Sequence, residues 1–567
     1  METVMQTTTP TQSSTPTQSS TAKRVRSVRP VGTRAVLAEL DGLQDVLALQ
    51  DMLYKSPLPG QVDVLAAAET VMVVGESAAA TRAIGARLLE LELIATKSTD
   101  SGLVVIDTVY DGDDLADVAG LTGLSVEGVI AAHTGQIWTV AFAGFAPGFG
   151  YMVGENDVLT VPRRSSPRTA VPAGSVALGG QYSAVYPRRS PGGWQLIGRT
   201  GARMWDLDRS QPALVRPGDR VQYRAVREVV TARAVVTTSV EHQAEPDADH
   251  HTDFGMRILN PGAQSLIEDL GRRGYGALGV SAAGALDRAS LRRANRLVGN
   301  SSSAAAIETV NGGLTVEAVG DQVIAVTGAP TTLTVQSPSS ADSEEPDGDA
   351  QDAVRTVPMA APFALLDGEV LTLGPPEAGF RNYVAIRGGI AVPEVLGSRS
   401  ADTMSGIGPA PLVVGQELLA GDATASTAVG SPELQPEFPG TGVTVLDVVP
   451  GPRADWFDQS AIESLTSQEW VVTPQSNRVG MRLDGTPLQR AREGELPSEG
   501  TMAGALQIPP AGLPVLFLAD HPITGGYPVI GVVRDEHLDL AGQVPIGGRI
   551  RFRMVPDSPD FTKTPEK

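Results

Sequence analysis

The strongest constraint on the fold is a passage the chain writes twice. Pro191-Gly-Gly-Trp-Gln-Leu-Ile-Gly198 returns as Thr524-Gly-Gly-Tyr-Pro-Val-Ile-Gly531. About twenty residues after each comes a closing strand, Pro217-Gly-Asp-Arg-Val-Gln-Tyr-Arg224 and Ile546-Gly-Gly-Arg-Ile-Arg-Phe-Arg553. Upstream of each stands a Pro-Ala-Gly, at 172–174 and 510–512. Three ordered matches predict two related β-rich units about 330 residues apart. A period that long means duplicated domains, not a solenoid of short repeats.

A chain of 567 residues exceeds one core and predicts about three to five domains. With 62 glycines, 42 prolines and only 4% aromatics, short strands and tight turns are expected instead of long helices. The net charge of −21 repels a nucleic-acid backbone while leaving room for a local basic pocket. The absence of cysteine excludes disulfides, thiol nucleophiles and thiolate metal sites, and fits a cytoplasmic location. No secretory signal pattern opens the sequence, and its most apolar short run, 513–519, is far too short to span a membrane. A soluble protein bound to neither membrane nor nucleic acid is expected.

Residues 1–26 are rich in Thr, Ser, Pro and Gln and read as a disordered tail. A small α/β domain follows over 27–110, with strands at 35–40 and 71–74 and a helix at 77–91. Two short helices near 114–119 and 125–133 lead into strands and Gly/Pro turns, a barrel-like unit over 111–228. The polar, acidic stretch 229–252 is the linker. The second half divides into a first barrel region, 253–442, and a second, 443–555, which strands from 253–300 could complete; 556–567 is a tail. A helix is expected at 286–298, its Asp287 early and Arg292, Arg293 and Arg296 late, matching the helix dipole. Near 337–352, six acidic residues and no basic one mark a solvated insertion.

The loop from Phe142 to Met152 is too rich in glycine and aromatics for an ordinary turn. Its amides, around Phe145, Gly148 and Tyr151, could cradle a carboxylate, a phosphate or an amide carbonyl, or the loop could be a structural turn. Arg163, Arg164 and Arg168 follow; an arginine fork fits a carboxylate or phosphate, or pairs with a surface acid. His133 lies on the apolar face of its helix, as a core histidine, a general base or a ligand hydrogen-bonder. Gln181, between glycines and Tyr182, offers donor and acceptor to an amide, or simply makes a turn. Asp269 with Arg272 reads as a ligand pair or a structural one, and Asp287 as a ligand group or a helix support. Arg478, Arg482, Glu499, Gln507, Asp520, His521 and Tyr527 together mark the better pocket candidate of the second half. Asp520 and His521, if on a strand, point to opposite faces and make no relay. No HExxH, zinc ligand set or GxSxG elbow is present, so no metal site is expected.

Longer segments carry a family resemblance. His133, Gly144-Phe-Ala-Pro-Gly-Phe149, Pro162-Arg163, Pro167-Arg168, Val171-Pro-Ala-Gly-Ser175 and Pro191 through Arg199 resemble allophanate hydrolase subunit 1. Gln264 through Gly274, Gly284-Ala-Leu-Asp287, Ala294-Asn295, Leu297-Val-Gly-Asn300, Gly397-Ser-Arg-Ser400 and Gly504 through Tyr527 resemble subunit 2. These domains occur in the paired B and C components of bacterial ATP-dependent 5-oxoprolinase and in urea carboxylase/urea amidolyase. Asp520-His521-Pro-Ile-Thr524 stands where Asp-Arg-Gln-Thr-Thr is typical.

The resemblance implies a mainly β chain with a small α/β domain and three cyclophilin-like β-barrels, fusing components that are usually separate. It implies a protein that helps convert 5-oxo-L-proline to L-glutamate with ATP and Mg²⁺, completed by a separate A-type oxoprolinase component, with homo-oligomerisation open. His133, Gln181, Arg168 and Asp520 are the catalytic candidates. Phe145, Gly148, Tyr151, Arg163, Arg199, Asp269, Arg272, Asp287, Arg399, Arg478, Arg482, Glu499, Gln507, His521 and Tyr527 are candidates for holding substrate or nucleotide. Alternatives are a carboxyl-transfer component of a biotin-dependent urea carboxylase and a non-enzymatic kinase-inhibitory module.

Overall fold

The computed structural model describes residues 23–93, 102–228 except 167, 254–338, and 354–556 except 495. The N-terminal tail, the 229–252 linker and most of the acidic insertion lie outside these residues.

Strands Ser27–Val31, Ala35–Glu39, Thr70–Gly75 and Gln61–Ala66 form a four-stranded antiparallel sheet in that order. Helices α1 (Leu43–Lys55) and α2 (Ala78–Glu90) supply Leu49, Leu53, Ile84 and Leu88 to one face, against Val36, Ala38, Val71 and Val73. The Ser77 hydroxyl caps α2 by accepting from Ala80 N at 3.1 Å. The other face, Ala35, Leu37, Leu65 and Met72, shares a core with Val449, Ala505, Phe517, Ile523 and Val532 from the far end of the chain. A strand buried on both faces explains why 35–39 shows no polar alternation.

The barrel unit of the first half has strands β1 (Leu103–Thr108), β2 (Trp138–Ala143), β3 (Gly150–Val153), β4 (Ser175–Gly179), β5 (Tyr182–Val185), β6 (Gln195–Arg199) and β7 (Arg220–Ala225). Their order is β6-β4-β5-β3-β2-β7-β1, and a bridge between Val109 and Arg199 returns β1 to β6 through two 2.8 Å hydrogen bonds. Helices α3 (Leu115–Thr122) and α4 (Val126–Thr134) join β1 to β2. In the second half, strands β8 (Val443–Pro450), β9 (Trp470–Val472), β10 (Gly480–Asp484), β11 (Ala505–Gln507), β12 (Val515–Phe517), β13 (Val529–Val533) and β14 (Arg549–Met554) close a complete barrel.

The second barrel repeats the first strand for strand, in the order β13-β11-β12-β10-β9-β14-β8. In each barrel the first and last strands pair in parallel, and the register sets Asp107 beside Arg224 and Asp447 beside Arg553. Both pairs close at Nε–Oδ1 distances of 2.6 Å. The third sequence match does not hold. Pro510–Gly512 lies in the β11–β12 hairpin, and the structural counterpart of Pro172-Ala-Gly174 is Met502-Ala-Gly504. Gly174 and Gly504 both have positive φ, donate to Tyr186 O and Phe517 O at 2.8 Å, and accept from Thr200 N and Val533 N at 2.8 Å. The positive φ requires the glycine, and the residue before it but one is free to differ.

Between the barrels, a six-stranded and a five-stranded sheet share one core, to which Ile258, Val316 and Leu371 contribute from one sheet and Ile307, Ile324 and Val384 from the other. No strand hydrogen-bonds one sheet to the other among the described residues, so the expected third cyclophilin-like barrel is not borne out. The mainly β class with a small α/β domain is. Helix α5 (Arg288–Val298) lies on the five-stranded sheet with Leu291, Ala294 and Leu297 inward. Asp287 is its N-cap, accepting from Ser290 N at 2.8 Å. No single helix among the described residues is long and apolar enough to cross a membrane.

Candidate functional site at the junction of the halves

The Phe142–Met152 loop sits where the halves meet. Phe142 and Phe149 are buried and pin it to the first barrel. Phe145 takes φ of 63°, an unusual conformation for a bulky residue that the surrounding packing must hold in place. Gly148 N donates to Leu278 O at 3.2 Å, and Ala146 N and Phe149 N bond within the loop. Those three amides are therefore committed to structure. Gly144 has no room for a Cβ, which would strike Thr524 Oγ1. The Tyr151 hydroxyl also lies close to Thr524, and burial holds that phenol neutral by raising its pKa.

Tyr151 belongs to an aromatic wall. It stacks on Phe142 at 4.3 Å and meets Tyr182 and Trp194 edge-on at 5.6 and 5.4 Å. Arg163 extends over Trp194, 6.0 Å from the ring centre. Its neighbours Arg164 and Arg168 are both spent on buried Asp114, at 2.5 and 2.8 Å. Gln181 is exposed on the hairpin tip and donates to Tyr182 OH at 3.2 Å. Arg199 pairs with Asp111 on the surface.

His133 lies inside the first barrel, fully buried. Its Nδ1 meets Tyr110 OH at 2.7 Å and its Nε2 meets Ser183 Oγ at 2.9 Å, and Ser183 also bonds Tyr223 OH. Burial lowers its pKa to about 3, so the ring is neutral. Trp138 Nε1 donates to His133 O at 3.0 Å, as Trp470 Nε1 donates to Leu465 O at 2.9 Å. The second barrel thus carries Leu465 in the place of His133.

In the second half, Arg478 is the centre of a buried cluster. It donates to Asp520 Oδ1 and Oδ2 at 3.2 Å, to Gly284 O at 2.7 Å and to Glu308, and lies 3.2 Å from Glu268. Burial raises Glu268 far above the usual carboxylate range and raises Asp520 as well, while Arg478 and Arg381 overcome burial at Glu308 and keep it low. Asp520 lies in a turn, not on a strand, and its Oδ2 also accepts from Thr403 N and Oγ1. His521 turns away to stack on Phe517. Nearby, Asp269 accepts from Ser398, Ser400, Gly271 and Arg399 N, and Arg272 holds Val395 O and Ser400 O. Arg399 itself pairs with Glu394.

A cleft of about 200 Å³ separates the α/β domain from the second barrel, lined by Glu39, Glu69, Thr70, Arg453, Ser498 and Glu499 among others. Arg453 joins Glu39 at 2.6 Å to Glu499 at 2.9 Å across it. Gln507 donates to Tyr527 O, beneath a Tyr527 ring that carries Arg490 at 5.8 Å. Arg482 is exposed and away from these groups.

The structure therefore brings Gly144 and Tyr151 against Thr524, ties Gly148 to Leu278, leaves Phe145 among Phe149 and Tyr186, and joins Arg478 to Asp520. It leaves Arg168, Arg199, Arg399, Arg482 and His133 in separate contacts. Sequence reasoning missed Glu268, Glu308, Glu39 and Arg453. The available signal was a glutamate inside an apolar strand run, as in Ser265-Leu-Ile-Glu268, where burial of all four residues demands a partner.

Comparison with known proteins places these features in context. Residues 278–554 match the family described as carboxyltransferase domain, subdomain A and B, and residues 26–215 match carboxyltransferase domain, subdomain C and D. The C component of 5-oxoprolinase from Escherichia coli (strain K12) is 35% identical over 303 residues, 52% of this chain and 90% of that protein. The B component of 5-oxoprolinase from Escherichia coli O157:H7 is 45% identical over 134 residues, 23% of this chain and 62% of that protein. Urea amidolyase of Saccharomyces cerevisiae is 32% identical over 344 residues, only 17% of its length. The crystal structure of TTHA0988 superposes with a TM-score of 0.77 at 31% identity, covering 92% of this chain and 99% of that one.

Proposed function

The chain belongs to the carboxyltransferase-domain family that includes the B and C components of 5-oxoprolinase and the urea amidolyases, and from that membership we propose that it is the fused B/C component of an ATP-dependent 5-oxoprolinase. One observation carries the reading: the halves are interlocked, with Tyr151 and Gly144 of the B-like half against Thr524 of the C-like half. A substrate held at that contact touches residues of both.

A lactam is a poor electrophile because its nitrogen lone pair is delocalised into the carbonyl. Transfer of the γ-phosphoryl group of ATP to the carbonyl oxygen releases ADP and makes that oxygen a leaving group. Water then attacks the ring carbon, the C–N bond opens with the nitrogen taking a proton to leave an acyl phosphate, and a second water releases phosphate and the free carboxylate, completed on a separate A-type component. Basic groups at the junction stabilise the transferring charge. Among the described residues no three His, Asp or Glu side chains are grouped to hold a metal ion, so the residues present do not form a cage for Mg²⁺. A cytoplasmic location follows from the use of ATP.

The test is reconstitution: the purified chain with its matching A-type component releases glutamate from 5-oxoproline only when ATP is present. Lack of turnover with a confirmed partner overturns the reading. The carboxyltransferase description of both matched domains favours one second reading, carboxyl transfer from carboxybiotin to a urea-type amide. Urea turnover that depends on carboxylated biotin would establish it instead.

A further inference from the structure

Arginines 163, 164 and 168 are close in sequence but have different fates. Arg164 and Arg168 converge on Asp114, 2% exposed, whose Oδ2 also accepts from Leu196 N at 2.7 Å. Their charge is used inside the barrel. Arg163 has no carboxylate within ion-pair distance among the described residues. Its guanidinium lies over Trp194, a ring that is itself 5% exposed and fixed. Its charge also reaches the phenols of Tyr151, Tyr182 and Tyr186. Those hydroxyls are neutral, so the guanidinium faces hydrogen-bonding groups and no counter-charge.

The duplicated barrel provides an internal comparison. The echo aligns Trp194 with Tyr527, and Arg490 covers Tyr527 at 5.8 Å as Arg163 covers Trp194 at 6.0 Å. Arg490 donates through Nη2 to Ile508 O at 2.5 Å. The copy in the second barrel is thus tied to the backbone, whereas Arg163 holds the same stack with its fork free. An arginine held beside an indole with its fork unpaired can offer two N–H groups to a carboxylate bidentately. In a chain of net charge −21, an unneutralised arginine is also a local attractor for an anion.

We propose that Arg163 is the specificity-determining residue of the junction site, recognising a carboxylate on the substrate and so selecting an amino-acid-derived lactam over uncharged amides. The Arg163 shelf adjoins Tyr151, and Tyr151 reaches Thr524, so the carboxylate is held on the B-like side while the amide lies at the contact with the C-like half. This rests on the reading of the chain as an oxoprolinase component, which it deepens by naming the group that is read.

The experiment is calorimetric titration of the full chain with 5-oxoproline, 2-pyrrolidinone, urea and inorganic phosphate, for the wild type and for Arg163→Gln and Arg163→Lys. A charge-assisted pair contributes roughly 10- to 100-fold in affinity. The wild type should bind 5-oxoproline at least ~10-fold more tightly than 2-pyrrolidinone. Arg163→Gln should erase that ratio, Arg163→Lys should keep part of it, and the thermal midpoint should be unchanged because no ion pair is lost. An equal ratio in Arg163→Gln, no binding by the wild type, or phosphate displacing 5-oxoproline at similar concentration overturns the proposal. If the reconstituted complex shows no ATP-dependent glutamate release while the Arg163→Gln binding defect stands, the activity reading fails and the carboxylate site survives. Turnover with an unchanged KM in Arg163→Gln is the opposite case.

Discussion

Arg453 of the second barrel donates to Glu39 of the N-terminal sheet at 2.6 Å, so an ion pair spans 414 residues of sequence and both halves. Glu499 holds the other side of the same guanidinium. Burial alone would raise both carboxyls. Ser27 and Arg453 reverse this at Glu39, while burial prevails at Glu499. With the shared apolar core beneath it, this triad makes the α/β domain as much a part of the second half as of the first.

Arg453→Met leaves buried Glu499 without an ion-pair partner and Glu39 with Arg29 alone, and should cost about 3–5 kcal/mol. Replacing Glu39 and Glu499 by Gln as well should recover much of that loss. Chemical denaturation of the three proteins checks it: equal midpoints for Arg453→Met and wild type would show that the triad carries no stability. Since the triad crosses the junction, the transition should remain a single cooperative one in the wild type.

A second cross-half contact is sensitive to pH. Asp63 Oδ2 accepts from Gly274 N at 3.1 Å and Gly276 N at 3.2 Å, and burial pushes its pKa up from 3.8 to about 6 despite these bonds. A carboxyl raised in the folded state favours folding when protonated. Its contribution is complete at acid pH below 3.8 and is lost as pH rises through about 6. At pH 8, Asp63→Asn, whose one oxygen can still accept both glycine bonds while the Val64 N bond to Oδ1 is given up, should therefore stabilise the protein by about 1 kcal/mol. Thermal midpoints measured from pH 5 to 8 should show wild type and variant diverging upward through this window; parallel curves would refute it.

The duplication was legible because it resides in backbone demands. Gly174 and Gly504 need positive φ, and Gly198 and Gly531 leave room for neighbouring backbone and a packed valine. Such positions constrain residue identity directly, so they survive as letters. The Pro-Ala-Gly match misled because proline at 172 answers to no requirement shared by Met502. The junction was only half legible. Asp520 and Arg478 stood out as charges near glycine turns, but their partners Glu268 and Glu308 come from strands 252 and 212 positions before Asp520, and pairing at that distance leaves no local pattern. His133 was ambiguous for a related reason: a helix face shows that a histidine turns inward but not whether it meets Ser183 or a substrate.

His133→Leu combined with Ser183→Ala tests that histidine. The second barrel already folds with Leu465 at the matching place, so the fold should persist with a loss of about 2 kcal/mol, mostly from Tyr110 losing its partner, since the Tyr223 hydroxyl still donates to Met152 Sδ. Turnover in the reconstituted complex should stay within about threefold, against the 10²–10⁴-fold loss expected for a general base. In the wild type, the buried neutral ring must charge on unfolding, so stability should fall as pH drops below 6.5, and the double variant should lose that slope.

Arg478 is the last case, and it separates structure from chemistry. Its guanidinium contacts Asp520, Glu268 and Glu308, which come from the second barrel and from two strands of the five-stranded sheet. Arg478→Met therefore leaves buried Asp520 without its counter-charge and Glu308 with Arg381 alone, and should destabilise by about 3–5 kcal/mol. Asp520→Asn is the sharper probe. It keeps the shape, keeps an acceptor for Thr403, and removes one of three carboxylates competing for one arginine, so stability should change by less than about 1 kcal/mol. If Asp520 also acts in lactam activation, its turnover with the A-type component should fall at least ~100-fold at unchanged thermal midpoint. Activity and stability falling together would instead make Asp520 a structural partner of Arg478 alone.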